Sequence, residues 1–133
     1  MRLLLVHADD SMASIYQGRL EKEGYEVIRA RSGAEGRERV VNNDPKIIVT
    51  DFDLPDMTGR EFLMGMTITE DYELNIKVMK IVRVGVGNFN YDNSIHTDDY
   101  LEGQPDPGKL VMKIEELKRR KINHYPELKE IFG

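Results

Sequence analysis

Two adjacent carboxylates, Asp9 and Asp10, stand just past the apolar run "LLLV" (3–6). Two more, Asp51 and Asp53, stand just past "KIIVT" (46–50). Acids at the ends of buried strands are the ligands that magnesium takes, since it prefers oxygen and commonly uses one or two carboxylates. A metal site, if built, would draw on Asp9, Asp51 and Asp53. His7 lies at the end of the first run, where its ring could approach Asp51. No second His is placed to help it ligate a metal, so we read it as a hydrogen-bonding partner of that carboxylate. Asp10 precedes a helical pattern and is read as its N-cap. The chain contains no cysteine, which excludes a thiolate nucleophile and a cysteine metal site. No Ser/His/Asp set can be assembled. "GVGN" (85–88) opens no recognisable helix, so it is not a phosphate-cradling loop. The chain is read as a non-enzyme.

The elements that must position these acids alternate between short apolar runs and helical patterns. "RLLLV" (2–6), "YEVIRA" (25–30), "KIIVT" (46–50) and "KVMKIVRV" (77–84) read as strands, and "DDYLE" (98–102) as a weak fifth. Between them, Met12, Ile15, Tyr16 and Leu20 recur at helical spacing and Gly24 stops that helix. "SGAE" (32–35) and "TGRE" (58–61) are capping boxes. Asp106 and Pro107 look like the N-cap and first position of a last helix. Strands alternating with helices imply a doubly wound parallel sheet. The interval "GVGNFNYDNSIHT" (85–97) breaks the pattern, because Asn and Gly are poor helix formers. The fourth crossover helix is therefore expected to be short, irregular or missing. Ligands of such sheets bind outside the carboxyl ends of the strands.

Composition narrows the function classes. The 133 residues fit one domain, read as a body over 1–121 with a C-terminal extension, a short helix or linker, over 122–133. There is no apolar run of membrane-spanning length and no signal-peptide pattern, so a cytoplasmic location is expected. A net charge of −5 argues against nucleic acid as a partner. The one basic run, "KRRK" (118–121), falls where it complements a helix dipole. Lys80 and Arg83 are unusual in a central strand, and Arg83, at the carboxyl end of the expected strand, could bring a positive charge to the site.

"IIVTDFDLPDMTG" (47–59), with "LEKEGYEV" (20–27) and "DDYLEGQPDP" (98–107), resembles the receiver domains of two-component response regulators. The resemblance covers nearly the whole chain. It implies a flavodoxin-like, five-stranded parallel sheet of order 2-1-3-4-5. It also implies that Asp51 is the equivalent of the phosphoacceptor, that the backbone carbonyl of Asp53 faces a magnesium ion, and that a histidine kinase or another signalling protein is a partner. A homodimer through the 85–120 surface, which includes Tyr100, is implied in the same way.

The pattern departs from the family at the residues that do the chemistry. The family's acid pair falls on His7 and Ala8. The hydroxyl residue that ends the fourth strand aligns with Val82. The Lys-Pro pair that ends the fifth aligns with Gly103 and Gln104. The pocket is accordingly read as His7, Ala8, Asp9, Asp51, Asp53, Val82, Arg83 and Gly103. Of the family's functional side chains Asp51 remains. The expectation is an atypical receiver, a pseudo-receiver, that holds no cofactor and acts as a protein-interaction module. The alternatives are a phosphorylatable receiver using Asp51 and Mg2+, and a small-molecule binder on the same fold.

Overall fold

The structure is a computed structural model that describes residues 1–89 and 96–133. Five parallel strands form one sheet in the order β2-β1-β3-β4-β5. They are β1 (Arg2–Val6), β2 (Glu26–Ala30), β3 (Ile47–Asp51), β4 (Val82–Gly87) and β5 (Asp99–Glu102). The helices are α1 (Asp10–Lys22), α2 (Gly33–Asn43), α3 (Gly59–Thr67), α4 (Tyr72–Met79), α5 (Pro107–His124) and α6 (Lys129–Phe132), with a 3-10 turn over Pro126–Leu128. Among the described residues no helix is long and apolar enough to cross a membrane.

Alternation along the strands supplies two cores, one on each face. Leu3 and Leu5 of β1 and Val82, Val84 and Val86 of β4 pack with Tyr16 and Leu20 of α1 and Leu110 and Ile114 of α5. Leu4, Val6 and Ile48 face the other way, against Val40 of α2, Phe62, Leu63 and Met66 of α3, and Leu74 and Val78 of α4. Each fully buried leucine contributes about 1.5–3 kcal/mol relative to an exposed one. All five residues of β3 are buried, which carries Asp51 into the interior with the strand that bears it.

Several expectations need correction. Lys77, Val78 and Met79 belong to α4, not to the fourth strand, which starts at Val82 and runs to Gly87. Leu74 and Val78 are buried four residues apart, a helical spacing, and Asp71 caps the helix by accepting from the Leu74 N–H. A short apolar run does not distinguish helix from strand. The crossover from β3 to β4 thus carries two helices. The strand's carboxyl end moves from Val84 to Gly87, so Gly85, Val86 and Gly87 leave the expected irregular loop. The rest of that expectation falls on residues 90–95, outside the described residues. Among the described residues no helix lies between β4 and β5. At α1, Asp9 and not Asp10 is the N-cap, accepting from the Met12 N–H at 3.0 Å. Asp10 instead pairs with Arg29 and Arg31.

The chain's end is joined to the body. Helix α5 continues unbroken through Lys121 to His124, and Leu128 beyond it is 4% exposed. Three residues of the basic run are occupied within the molecule: Lys118 bonds Glu115 and the Tyr25 hydroxyl, Arg120 bonds Glu116, and Lys121 bonds Asp98.

The capping box at Thr58 and Glu61 forms as expected and sets the start of α3 beside the Asp51 turn. Thr58→Ala removes the hydroxyl that accepts from the Glu61 N–H and should cost about 1 kcal/mol. Urea denaturation checks this as a lowered midpoint with an unchanged slope.

Candidate functional site

The carboxyl ends of β1, β3 and β4 and the turn after β5 converge on the Asp51 carboxylate, which is 7% exposed. Its Oδ1 accepts the Phe52 N–H at 3.0 Å and the Gln104 Nε2–H at 3.2 Å. Gln104 Oε1 lies 3.0 Å from His7 Nε2. The other ring nitrogen, His7 Nδ1, accepts the Asp9 N–H at 3.1 Å. With Nδ1 accepting, the neutral ring carries its proton on Nε2 and donates to Gln104. The donors therefore run in one direction, from the Asp9 backbone through His7 and Gln104 to Asp51. His7 is 2% exposed, and its Nε2 stands 3.8 Å from Asp51 Oδ2. The Tyr16 hydroxyl donates to the Pro105 carbonyl at 2.8 Å and stands 3.4 Å from Gln104 Oε1.

Two glycines make room for the carboxylate. A Cβ on Gly87 would lie 2.5 Å from Asp51 Oδ1, and its φ of +97° is one that side-chain-bearing residues rarely adopt. A Cβ on Gly59 would overlap the Asp51 carbonyl oxygen. Val86 is the register partner of Asp51 on β4, and Gly87, at the strand's end, lies against its carboxylate. Gly103, with φ of +66°, exchanges backbone hydrogen bonds with Gly87 and turns the chain so that the amide of the exposed Gln104 reaches Asp51.

The expected pocket is thus only partly assembled. The structure brings together His7, Asp51 and, in the Gly103 turn, Gln104. Ala8 and Asp9 are exposed. The Asp9 carboxylate is occupied by the α1 cap. Asp53 lies in the turn after β3, where the Asn88 side chain approaches it at 3.4 Å. Val82 and Arg83 lie elsewhere, because the strand starts later than expected. Val82 pairs in register with Ile47 and Arg83 with Ile48, at the amino half of the sheet. Arg83 bonds Asp98 and brings no charge to Asp51. Sequence reasoning missed Gln104, Gly87 and Tyr16. The signal for Gln104 was present: Pro105 follows it, so Gln104-Pro105 stands at the expected Lys-Pro pair, one residue later than the ungapped alignment placed it.

Burial pushes the Asp51 carboxyl above its ordinary pKa, opposed by His7, the Gln104 amide and the Phe52 N–H. A carboxyl whose native pKa lies above the unfolded one holds its proton more tightly when folded. Its contribution to stability is complete below the unfolded pKa and is lost as pH rises through the native one. Asp51→Asn removes that loss. From about pH 3 to about pH 7 the variant should gain stability relative to the parent, which paired urea unfolding curves would show. A gap that narrows with pH would contradict the burial argument.

Residues 3–114 match the response regulator receiver domain family. The chain is 26% identical over 129 residues to the cell cycle transcriptional regulator CtrA of Caulobacter vibrioides, covering 93% of this chain and 53% of that protein. It is 28% identical over 127 residues to the response regulator SaeR of Staphylococcus aureus, covering 93% and 54%. The chain spans about half the length of these relatives. Among solved structures, a CheY-like response regulator receiver domain protein from Methanospirillum hungatei superposes with a TM-score of 0.77 at 26% identity, over 92% of this chain and 97% of that one. The chemotaxis response regulator CheY4 of Vibrio cholerae shares the fold, with a TM-score of 0.74 at 18% identity over 87% of this chain and 97% of that one. With its 2-1-3-4-5 sheet and Asp51 at the end of β3, this chain belongs to the response regulator receiver domain family of two-component signalling.

Proposed function

We propose that the chain is a receiver that works without conventional magnesium-dependent aspartyl phosphorylation, as an interaction module for a signalling protein such as a histidine kinase. The observation that carries this reading is the hydrogen-bonded chain from His7 through Gln104 to Asp51. Magnesium wants near-octahedral oxygen donors. Here Asp51 Oδ1 already accepts two N–H groups, Ala8 offers no donor atom, and Asp9 caps a helix. Both nitrogens of His7 are engaged. Among the described residues no group of three or more His, Asp or Glu side chains is placed to hold a metal ion. This donor set does not fit magnesium.

The phosphoryl group fares no better by the same reasoning. A dianion formed beside a buried carboxylate needs a cation close by. At contact distance and an effective dielectric of 20, one such charge is worth about 4 kcal/mol. Gln104 presents an amide dipole and no net charge. Gly87, opposite the carboxylate, has no hydroxyl to sense the group.

Incubation with magnesium and acetyl phosphate should add no mass, and magnesium with beryllofluoride should give no saturable shift in the amide spectrum. A magnesium-dependent mass gain that Asp51→Asn abolishes would overturn the reading in favour of a phosphorylatable receiver. The combined variant His7→Asp, Ala8→Asp, Gln104→Lys restores the missing charges and should acquire the beryllofluoride response.

A further inference from the structure

Arg83 and Lys121 meet at the end of the sheet away from Asp51. Arg83 pairs with Ile48, three residues before Asp51 along β3, which is roughly 10 Å of strand. A cavity of about 300 Å³ opens there, between the end of α4, the amino ends of β4 and β5, and the last turns of α5. That volume lies at the small end of small-molecule pockets, which run roughly 300–1,000 Å³.

The charges in this cavity do not balance. Lys121 is 7% exposed, and its Nζ donates to Asp98 Oδ1 at 2.6 Å and to the Met79 carbonyl at 3.2 Å. The Arg83 side chain, 14% exposed, reaches the same Oδ1 at 3.4 Å through Nη2, while the Arg83 backbone N–H takes Oδ2 at 2.7 Å. Arg83 Nε is buried and has no hydrogen-bond partner. Two nearly buried cations thus share Asp98, the one carboxylate lining the cavity among the described residues. Asp99 is taken by Lys113 and Arg120. His124 and Arg120, the latter paired with Glu116 and Asp99, also line the cavity wall. Burial lowers the Lys121 pKa, opposed by Asp98, with a smaller lowering from the Arg83 charge. Buried charges are rarely left unpaired, because an unpaired one costs several kcal/mol.

The geometry points to a binding site for a small organic anion, a carboxylate or phosphate monoester on an apolar body of about one ring. The anionic group would approach the Arg83 guanidinium and the Lys121 ammonium, which share one carboxylate between two positive charges. Arginine binds such groups through adjacent N–H donors. The apolar body would lie against Met79, Leu117 and the Tyr125 ring. His124 packs edge-on to that ring at 4.6 Å, and the Lys80 ammonium sits 5.7 Å from its centre. The site shares no residue with the Asp51 network, so it stands whether or not the chain is phosphorylated.

Amide spectra recorded with benzoate, phenyl phosphate, inorganic phosphate and benzyl alcohol test this. Benzoate or phenyl phosphate at millimolar concentration should give saturable shifts centred on Arg83, Leu117, Lys121 and Tyr125. Inorganic phosphate should bind more weakly, and uncharged benzyl alcohol should leave these residues unmoved. Arg83→Gln should weaken binding about tenfold or more. Arg120→Gln, on a half-exposed side chain that should not affect folding, should weaken it severalfold. Arg2→Gln, in an exposed pair with Glu26, should not change it. The proposal is overturned by no saturable shift with either organic anion, by an equal response to inorganic phosphate or benzyl alcohol, or by unchanged affinity in Arg120→Gln together with any folded Arg83→Gln.

Discussion

A carboxylate held out of water at the end of a fully buried strand is the constraint around which the carboxyl face of the sheet is arranged. Asp51 must keep acceptors satisfied where water has little access, and its neighbours answer with neutral donors. The Phe52 N–H and the Gln104 amide share Oδ1. The Gln104 amide can point its N–H at Asp51 because His7 supplies a proton to its other end, and His7 can do so because the Asp9 backbone holds Nδ1. Each member sets the direction of the next. A lysine in place of Gln104 would answer the same carboxylate with a full charge, and it could not accept the His7 proton. The side chains at the first and fifth strand ends are therefore chemically coupled.

The opposite end of β4 shows the reverse imbalance. At Asp51 a carboxylate meets neutral donors. At Asp98 two cations meet one carboxylate. Both conditions are set by the register of one strand. Starting β4 at Val82 puts Val86 in register with Asp51, Gly87 against its carboxylate and Arg83 beside Asp98. A strand beginning five residues earlier would have exchanged these surroundings, and Arg83 would have sat at the carboxyl end. The additional helix α4 produces this offset, and its last residue, Met79, gives its carbonyl to Lys121. The second helix of the β3–β4 crossover thus borders a cavity against α5.

The sequence alone determined the architecture, because the physics that specifies it is local and periodic. The apolar runs of β1 and β3, the Ser32 N-cap, the capping box at Thr58 and the Asp106-Pro107 start of α5 each declare their element within a few residues. Their alternation leaves a parallel, doubly wound sheet. The "DFDLPDMTG" turn already placed Asp51 at the end of a strand, and His7 at the end of β1 stands within 3.8 Å of it. What the tertiary structure decided was register and direction. Lys77, Val78 and Met79 suit either a helix or a strand, and burial of Leu74 and Val78 against the sheet settles the choice. That choice moves Val82 and Arg83 away from Asp51 and brings in Gly87. Gln104 reaches the carboxylate because Gly103 turns the backbone through a positive φ, a backbone event with no signature in side-chain pattern. The pairing of Arg83 and Lys121 on Asp98 joins residues far apart in the chain, so only packing could place two cations and one acid in the same cavity.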